Sequence, residues 1–237
     1  MKIRYLALVA LAAAAGTADA ALLSFSSGSA GGSWTWTGSG SNVTDATGPN
    51  APIILDIDDN NGVLPTLSVS TQFNAQYTLS YVASVPLGNG AFSHNYLASG
   101  SFSFQDMVSG TTLLTVNFTN CLYTARGAVS SWFTTGALQG DPGAGASVNM
   151  VWSGAALPGY GLAPGALTGG FAFDKTAVNT SGAIPYGGQN PGVGLTNNLP
   201  NATWFSEGSF SAYTNIPAPG SLALLGLAGL VGVRRRR

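Results

Sequence analysis

Acidic side chains cluster in one short segment, 56–62, which reads Asp-Ile-Asp-Asp-Asn-Asn-Gly. Asp56, Asp58 and Asn60 stand at alternate positions, as the first ligands of a calcium-binding loop do. The loop pattern then breaks, because glycine falls at position seven rather than six and position twelve is leucine rather than glutamate. The alternative is a strand over 53–57 that runs into an Asp/Asn/Gly turn. In that interpretation, which the sequence favours, the acids face outward and the strand buries Ile53, Leu55 and Ile57.

Few residues are suited to catalysis. His94 is the only histidine, no Gly-x-Ser-x-Gly elbow accompanies it, and we expect a solvated loop residue rather than a member of a Ser-His-Asp triad. Cys121 is the only cysteine, so it forms no internal disulfide, and we expect it to be buried as a small apolar residue. No His/Cys pair has the spacing of a zinc site. The sequence predicts no catalytic residue, no metal site and no cofactor, and a protein that is not an enzyme.

Aromatic residues offer a different chemistry, since flat rings can stack on sugar faces. The five tryptophans stand at positions 34, 36, 132, 152 and 204. The alternative is that they fill a core, where large aromatic side chains are mostly found. The sequence favours the core, and a sugar-binding platform remains the alternative.

The elements that must position these residues are strands. Apolar and small polar residues alternate in many short runs, as in 24–26, 101–104, 171–173 and 209–211. Because side chains on a strand point alternately to opposite faces, each run buries one face and exposes Ser and Thr on the other. A longer run over 67–73 places four residues on its inner face: Leu67, Val69, Thr71 and Phe73.

Turn residues separate the runs. Gly88-Asn89-Gly90 contains an Asn-Gly step, which favours a type I′ hairpin, and Ser109-Gly110 is a second hairpin candidate. The region 136–201 is dense in Gly, Pro and Asn and is predicted to form long loops, with strands near 148–152 and 167–173. The fold class is therefore all-β: a single antiparallel β-sandwich or jelly-roll-like domain with long Gly/Pro/Asn-rich loops.

The first twenty residues have the order of a secretory signal. Lys2 and Arg4 precede an apolar run over 5–15, and Ala18-Asp19-Ala20 forms a small-x-small cleavage site. We expect signal peptidase to cut after Ala20, which makes 1–20 a removed signal helix and 21–215 the extracellular domain.

The C-terminal end carries a second targeting signal. A proline motif, Ile216-Pro217-Ala218-Pro219, precedes an apolar stretch over 221–233. The stretch covers only ~20 Å as a helix, against a hydrocarbon core of ~30 Å. Four cations then end the chain and favour the cytoplasmic side: Arg234, Arg235, Arg236 and Arg237.

This order over 216–237 resembles the PEP-CTERM sorting signal, in which the motif is usually Val-Pro-Glu-Pro, so that Ala218 replaces the glutamate. The resemblance implies processing by an exosortase-type enzyme, transient anchoring in the inner membrane through a short transmembrane helix, and a place at the cell surface or in an exopolysaccharide or biofilm matrix. An ordinary tail anchor is the alternative.

Removing both ends leaves very little charge. Six of the eight cations lie in the ends, so 21–215 retains only Arg126 and Lys175 with eight acids, a net charge near −6. Such a body lacks the basic stripe of a nucleic-acid binder. The leading hypothesis is a structural or interaction protein of the extracellular matrix that contacts exopolysaccharide. The alternatives are a carbohydrate-binding module at the cell surface and an exported hydrolase, whose two carboxylates would have to face each other across a cleft.

Overall fold

The computed structural model describes residues 21–26, 34–37, 42–46, 52–59, 61–141, 145–179, 192–202 and 204–215. The predicted signal peptide and the predicted sorting segment, with its proline motif and arginine cluster, lie outside the described residues. Within these ranges, no helix has both the length and the apolar character needed to cross a membrane.

The described residues are mostly antiparallel strands, which confirms the all-β prediction. One 3-10 turn, Pro158–Tyr160, interrupts them. The strands are β1 (Leu22–Ser26), β2 (Trp34–Thr37), β3 (Asn42–Ala46), β4 (Ile53–Asp58), β5 (Leu67–Gly88), β6 (Ala91–Asp106), β7 (Thr112–Ala128), β8 (Ser131–Gly140), β9 (Ser147–Trp152), β10 (Gly165–Asn179), β11 (Val193–Thr196), β12 (Leu199–Pro200) and β13 (Trp204–Asn215).

The strand pairings close on themselves. At one end of the molecule the order is β4-β5-β6-β7-β9-β10-β13-β1 and back to β4, every pair antiparallel. At the other end the order is β3-β5-β6-β7-β8-β10-β13-β2 and back to β3. Five long strands run through both rings, and short strands complete each one. Closure leaves few unpaired strand edges, which are the usual route to edge-to-edge aggregation.

Phenylalanines fill the interior at the end that contains β1, β4 and β9. Phe73 of β5 lies 5.6 Å from Phe173 of β10, and Phe102 of β6 lies 5.0 Å from Phe171 of β10, measured between ring centroids. These contacts join β5 and β6 to the opposite side of the ring. The buried phenylalanines of this cluster are Phe25, Phe73, Phe102, Phe104, Phe118, Phe171, Phe173 and Phe210.

Both predicted hairpins are present. β5 and β6 are joined by Asn89 and Gly90, whose φ angles of 51° and 76° are those a type I′ turn requires. β6 and β7 are joined by a turn that the carboxylate of Asp106 organises, because its Oδ1 accepts hydrogen bonds from the backbone N–H groups of Val108 and Ser109 at 2.8 and 2.6 Å.

The loop-rich region holds more strand than expected. Strands near 148–152 and 167–173 are confirmed as β9 and β10, but β10 extends over fifteen residues, and β8 and β11 also occupy parts of 136–201. Glycines lower the strand signal of a sequence, yet here several occupy places where another strand passes too close for a side chain. A Cβ on Gly169, for example, would lie 1.9 Å from the carbonyl oxygen of Tyr213.

Candidate functional site

The acidic segment forms the predicted strand and turn. Ile53, Leu55 and Ile57 are buried, while Asp56 and Asp58 lie on the opposite face of β4. The Oδ1 atom of Asp56 accepts a hydrogen bond from Ser68 Oγ at 2.5 Å, and that of Asp58 accepts one from Thr66 Oγ1 at 2.6 Å. These carboxylates therefore hold β4 against β5 and the segment before it. Among the described residues, which do not include Asn60, no group of three or more His, Cys, Asp or Glu side chains is arranged to hold a metal ion.

Asp59 organises the turn that follows. Its carboxylate accepts four backbone N–H groups, from Asn61, Gly62, Val63 and Leu64, at 2.8–3.1 Å. The hydrogen bond from Leu64 contributes most to holding the pKa of Asp59 below its ordinary value of 3.8, and burial opposes it. This carboxylate is committed to the backbone and has little capacity left for a cation.

His94 is not a solvated loop residue, and that prediction was wrong. It lies in β6 and is 0% exposed. Its Nδ1 is 2.7 Å from Ser84 Oγ, and its Nε2 is 2.8 Å from the carbonyl oxygen of Ala128. The error arose because a single polar residue beside a turn looks the same in sequence whether a neighbouring strand covers it or not.

The partners of His94 define its tautomer. The carbonyl of Ala128 can only accept, so Nε2 carries the proton and donates it, which leaves Nδ1 to accept from Ser84 when the ring is neutral. Tyr81 donates its hydroxyl proton to Ser84 Oγ at 3.0 Å. The chain Tyr81–Ser84–His94–Ala128 thus resembles a serine activated by a base, with a backbone carbonyl where a triad has a carboxylate. Both ring nitrogens of His94 therefore have a hydrogen-bond partner, Ser84 Oγ for Nδ1 and the carbonyl oxygen of Ala128 for Nε2.

The described tryptophan side chains lie in the interior, as predicted. Trp132, Trp152 and Trp204 are 1%, 2% and 0% exposed. Trp132 packs edge-on against Trp204, with 5.4 Å between the ring centroids, and donates its Nε1–H to Tyr96 Oη at 3.0 Å. These three therefore form no exposed sugar-stacking platform. The remaining two tryptophans belong to β2, where their backbones pair with β13.

Polar aromatic residues concentrate at the end of the interior that contains β2, β3 and β8. Tyr96 donates its hydroxyl proton to the carbonyl oxygen of Asn198 at 2.7 Å, which ties β6 to the turn between β11 and β12. Burial raises the pKa of Tyr96 to about 12.

Cys121 is fully buried, as expected, and burial raises the pKa of its thiol to about 11, so little reactive thiolate forms near neutral pH.

A polar groove crosses the outer face of β7, β8, β10 and β13. Its volume is about 510 Å³, and its lining includes Thr124 and Arg126 of β7, Gln139 of β8, and Asp174, Lys175 and Thr176 of β10. The register aligns these strands, because Thr124 pairs with Ala137, Ala137 with Asp174, and Asp174 with Ser209. We call this feature the β7–β10 groove. One described carboxylate lines it, that of Asp174, so the facing pair expected of a glycosidase is not formed by the described lining residues.

Sequence reasoning missed the groove, although the scarcity of cations in 21–215 was a usable signal. Arg126 and Lys175 are the only cations of 21–215, and both line this one feature. Arg126 is exposed, whereas Lys175 is 1% exposed and holds its Nζ 4.0 Å from the centroid of the Phe173 ring. Their proximity depends on the pairing of β8 with both β7 and β10, which no local pattern specifies.

Comparison with family models, with curated proteins and with solved structures found no match to this chain.

Proposed function

We propose that this chain is an exported protein of the cell surface or extracellular matrix, delivered by an exosortase-type system and acting through surface contacts rather than catalysis. The proposed localisation rests on the two ends of the sequence: the signal peptide over 1–20 and the resemblance of 216–237 to the PEP-CTERM signal. In this proposal the short apolar helix anchors the chain in the inner membrane only until the tail is cut.

The observation that carries the contact role is the outer face of the sheet. Gln76 of β5 pairs with Ser101 of β6, Ser101 with Asn117 of β7, and Asn117 with Asn149 of β9, which gives a row of three amides and one hydroxyl across four strands. None of these four side chains makes a hydrogen bond with another described residue. They remain available to hydrated partners such as exopolysaccharide. Many weak contacts become effective when many copies share a surface.

We further propose that the body is a flattened, sandwich-like domain. The phenylalanine contacts between β5 and β6 on one side and β10 and β13 on the other support two facing layers. Two broad faces with few charged side chains would then be exposed, which suits lateral packing between polymer chains.

A carbohydrate-binding module is the second candidate, and the β7–β10 groove is the observation that favours it. Its volume of about 510 Å³ falls in the range of small-molecule sites. An exported hydrolase is a weaker candidate, since its support is limited to the Ser84–His94 hydrogen bond and His94 is inaccessible to solvent.

The test combines processing with retention. We expect mass spectrometry of the mature protein to find Ala21 at the N-terminus and to find no arginine cluster at the C-terminus, and we expect the protein to be retained on the producing cell's own exopolysaccharide without turnover. A mature chain that keeps Arg234–Arg237 contradicts the sorting proposal. Hydrolysis of a glycan, peptide or ester that His94→Ala abolishes contradicts the non-catalytic role.

A further inference from the structure

The β7–β10 groove is lined by both cations of 21–215. The segment 21–215 carries eight acids and two cations, and both cations line the groove. Asp174 is the one described carboxylate that lines the groove, so the lining residues carry a formal positive charge, whereas 21–215 as a whole is acidic. This difference favours an anionic ligand at the groove over the rest of the body.

The exposed polar side chains of the groove are uncommitted. Arg126, Gln139, Asp174 and Thr176 make no hydrogen bond or ion pair with another described residue. By contrast, the acids of β4 and of the turn after it are bonded to hydroxyls and backbone amides. The groove thus presents a guanidinium, an amide, a carboxylate and a hydroxyl to the solvent.

We infer that the β7–β10 groove binds a saccharide unit that carries a carboxylate, the chemistry of a uronic acid in an acidic polysaccharide. Arg126 offers planar donors that match a carboxylate in a bidentate pair. Gln139, Asp174 and Thr176 supply donors and acceptors for ring hydroxyls. The inference rests on the proposed function and deepens it by naming the class of sugar.

Substitution of the positive and of the negative side chain of the groove should change the affinity for a uronate in opposite directions. Arg126→Gln removes the carboxylate partner, so the affinity for a uronate should fall at least about tenfold, as expected for loss of a charge-assisted bidentate pair. Asp174→Asn removes a like charge and keeps an oxygen that accepts hydrogen bonds, so affinity should rise. Asp58→Asn, on β4 outside the groove, changes the net charge by the same unit and should leave affinity unchanged.

The experiment is calorimetric titration of the mature protein and these variants with trigalacturonate and with neutral maltotriose, at low and at physiological salt. We expect trigalacturonate to bind more tightly than maltotriose, and the difference to shrink as salt screens the charges. Equal affinity of the wild type and Arg126→Gln, or equal binding of the two sugars, overturns the inference, as does no binding of trigalacturonate at low salt. Melting curves of each variant establish that it is folded.

Failure of this inference is separable from failure of the proposed function. Retention on exopolysaccharide with no effect of Arg126→Gln rejects the groove and leaves the matrix role intact. An uncut arginine cluster rejects the sorting proposal, while the comparison between variants still tests the groove because all of them share the tail.

Discussion

At the residue scale, the acids near β4 act as structural anchors. Asp59 satisfies four backbone N–H groups that the turn would otherwise leave to solvent or unpaired. Hydrogen bonds to a charged acceptor are stronger than those between neutral groups, so this one side chain holds four consecutive residues in the turn.

Asp59→Asn should lower the melting temperature at pH 7, because one oxygen becomes an NH₂ group and two backbone N–H groups lose their acceptor. The pKa of Asp59 is lower in the folded protein than its ordinary 3.8, so its contribution is present above that value and is lost as the pH falls through the folded pKa. The gap between wild type and variant should therefore narrow below pH 3.8.

Melting curves between pH 7 and pH 2.5 measure this gap. Asp174→Asn is the matched control, since its carboxylate makes no hydrogen bond or ion pair with another described residue, and it should melt like the wild type at pH 7. A gap that stays constant down to pH 2.5 contradicts the role given to the ionised carboxylate.

Removal of divalent cations should leave the fold unchanged. The carboxylates of Asp56, Asp58 and Asp59 already have hydroxyl or backbone donors as partners, so the turn does not need calcium. Melting curves with EDTA and with added calcium should coincide. A fall in melting temperature in EDTA would restore the calcium hypothesis, because a ligand that binds only the folded state raises its stability.

At the element scale, a glycine in β6 permits the backbones of β5 and β6 to lie close together. A Cβ on Gly100 would lie 2.2 Å from the carbonyl oxygen of Gln76 and 2.5 Å from Tyr77 Cα, both on β5. The contacts are with backbone, so a side-chain rotation cannot relieve them.

Gly100→Ala should therefore lower the free energy of unfolding by about 1–3 kcal/mol, the cost of forced overpacking. The neighbouring Ser101→Ala should change the free energy of unfolding by less than about 0.5 kcal/mol, because the Ser101 hydroxyl makes no hydrogen bond with another described residue. Urea unfolding of both variants makes the comparison, and equal stability of the two would contradict the crowding.

At the scale of the whole molecule, the phenylalanine cluster joins the two sides of the ring. Phe73 is 1% exposed and its ring lies within 6 Å of four others, those of Phe25, Phe102, Phe104 and Phe173. It is therefore packed against strands that are distant in sequence.

Phe73→Ala should lower the free energy of unfolding by about 3–5 kcal/mol, the usual cost of truncating a buried phenylalanine. Val108→Ala is the control, because Val108 is 93% exposed in the turn after β6 and should change stability by less than about 0.5 kcal/mol. Urea unfolding measures both. A loss below 1 kcal/mol for Phe73→Ala would mean that the two sides of the ring do not pack as described.

Closure also involves the first described residue. Ala21 N donates to Thr214 Oγ1 at 3.1 Å, and its carbonyl oxygen accepts from Thr214 N at 3.0 Å. β1 then joins β13 to β4 and completes one ring. The expected cleavage after Ala20 would retain these bonds, whereas cleavage a few residues later would remove part of β1 and open the ring.

The sequence by itself determined the local features: the alternating strands, the Asn89-Gly90 turn, the strand and turn around Asp56 and Asp58, and the burial of Cys121 and three tryptophans. Side-chain periodicity and turn chemistry act within a few residues, so they can be read without knowing what lies opposite. Only the tertiary structure decided which strands pair across the chain. That pairing closed the sheet, enclosed His94 between Ser84 and Ala128, and brought Arg126 and Lys175 to one groove, because register and closure depend on contacts between residues far apart in sequence.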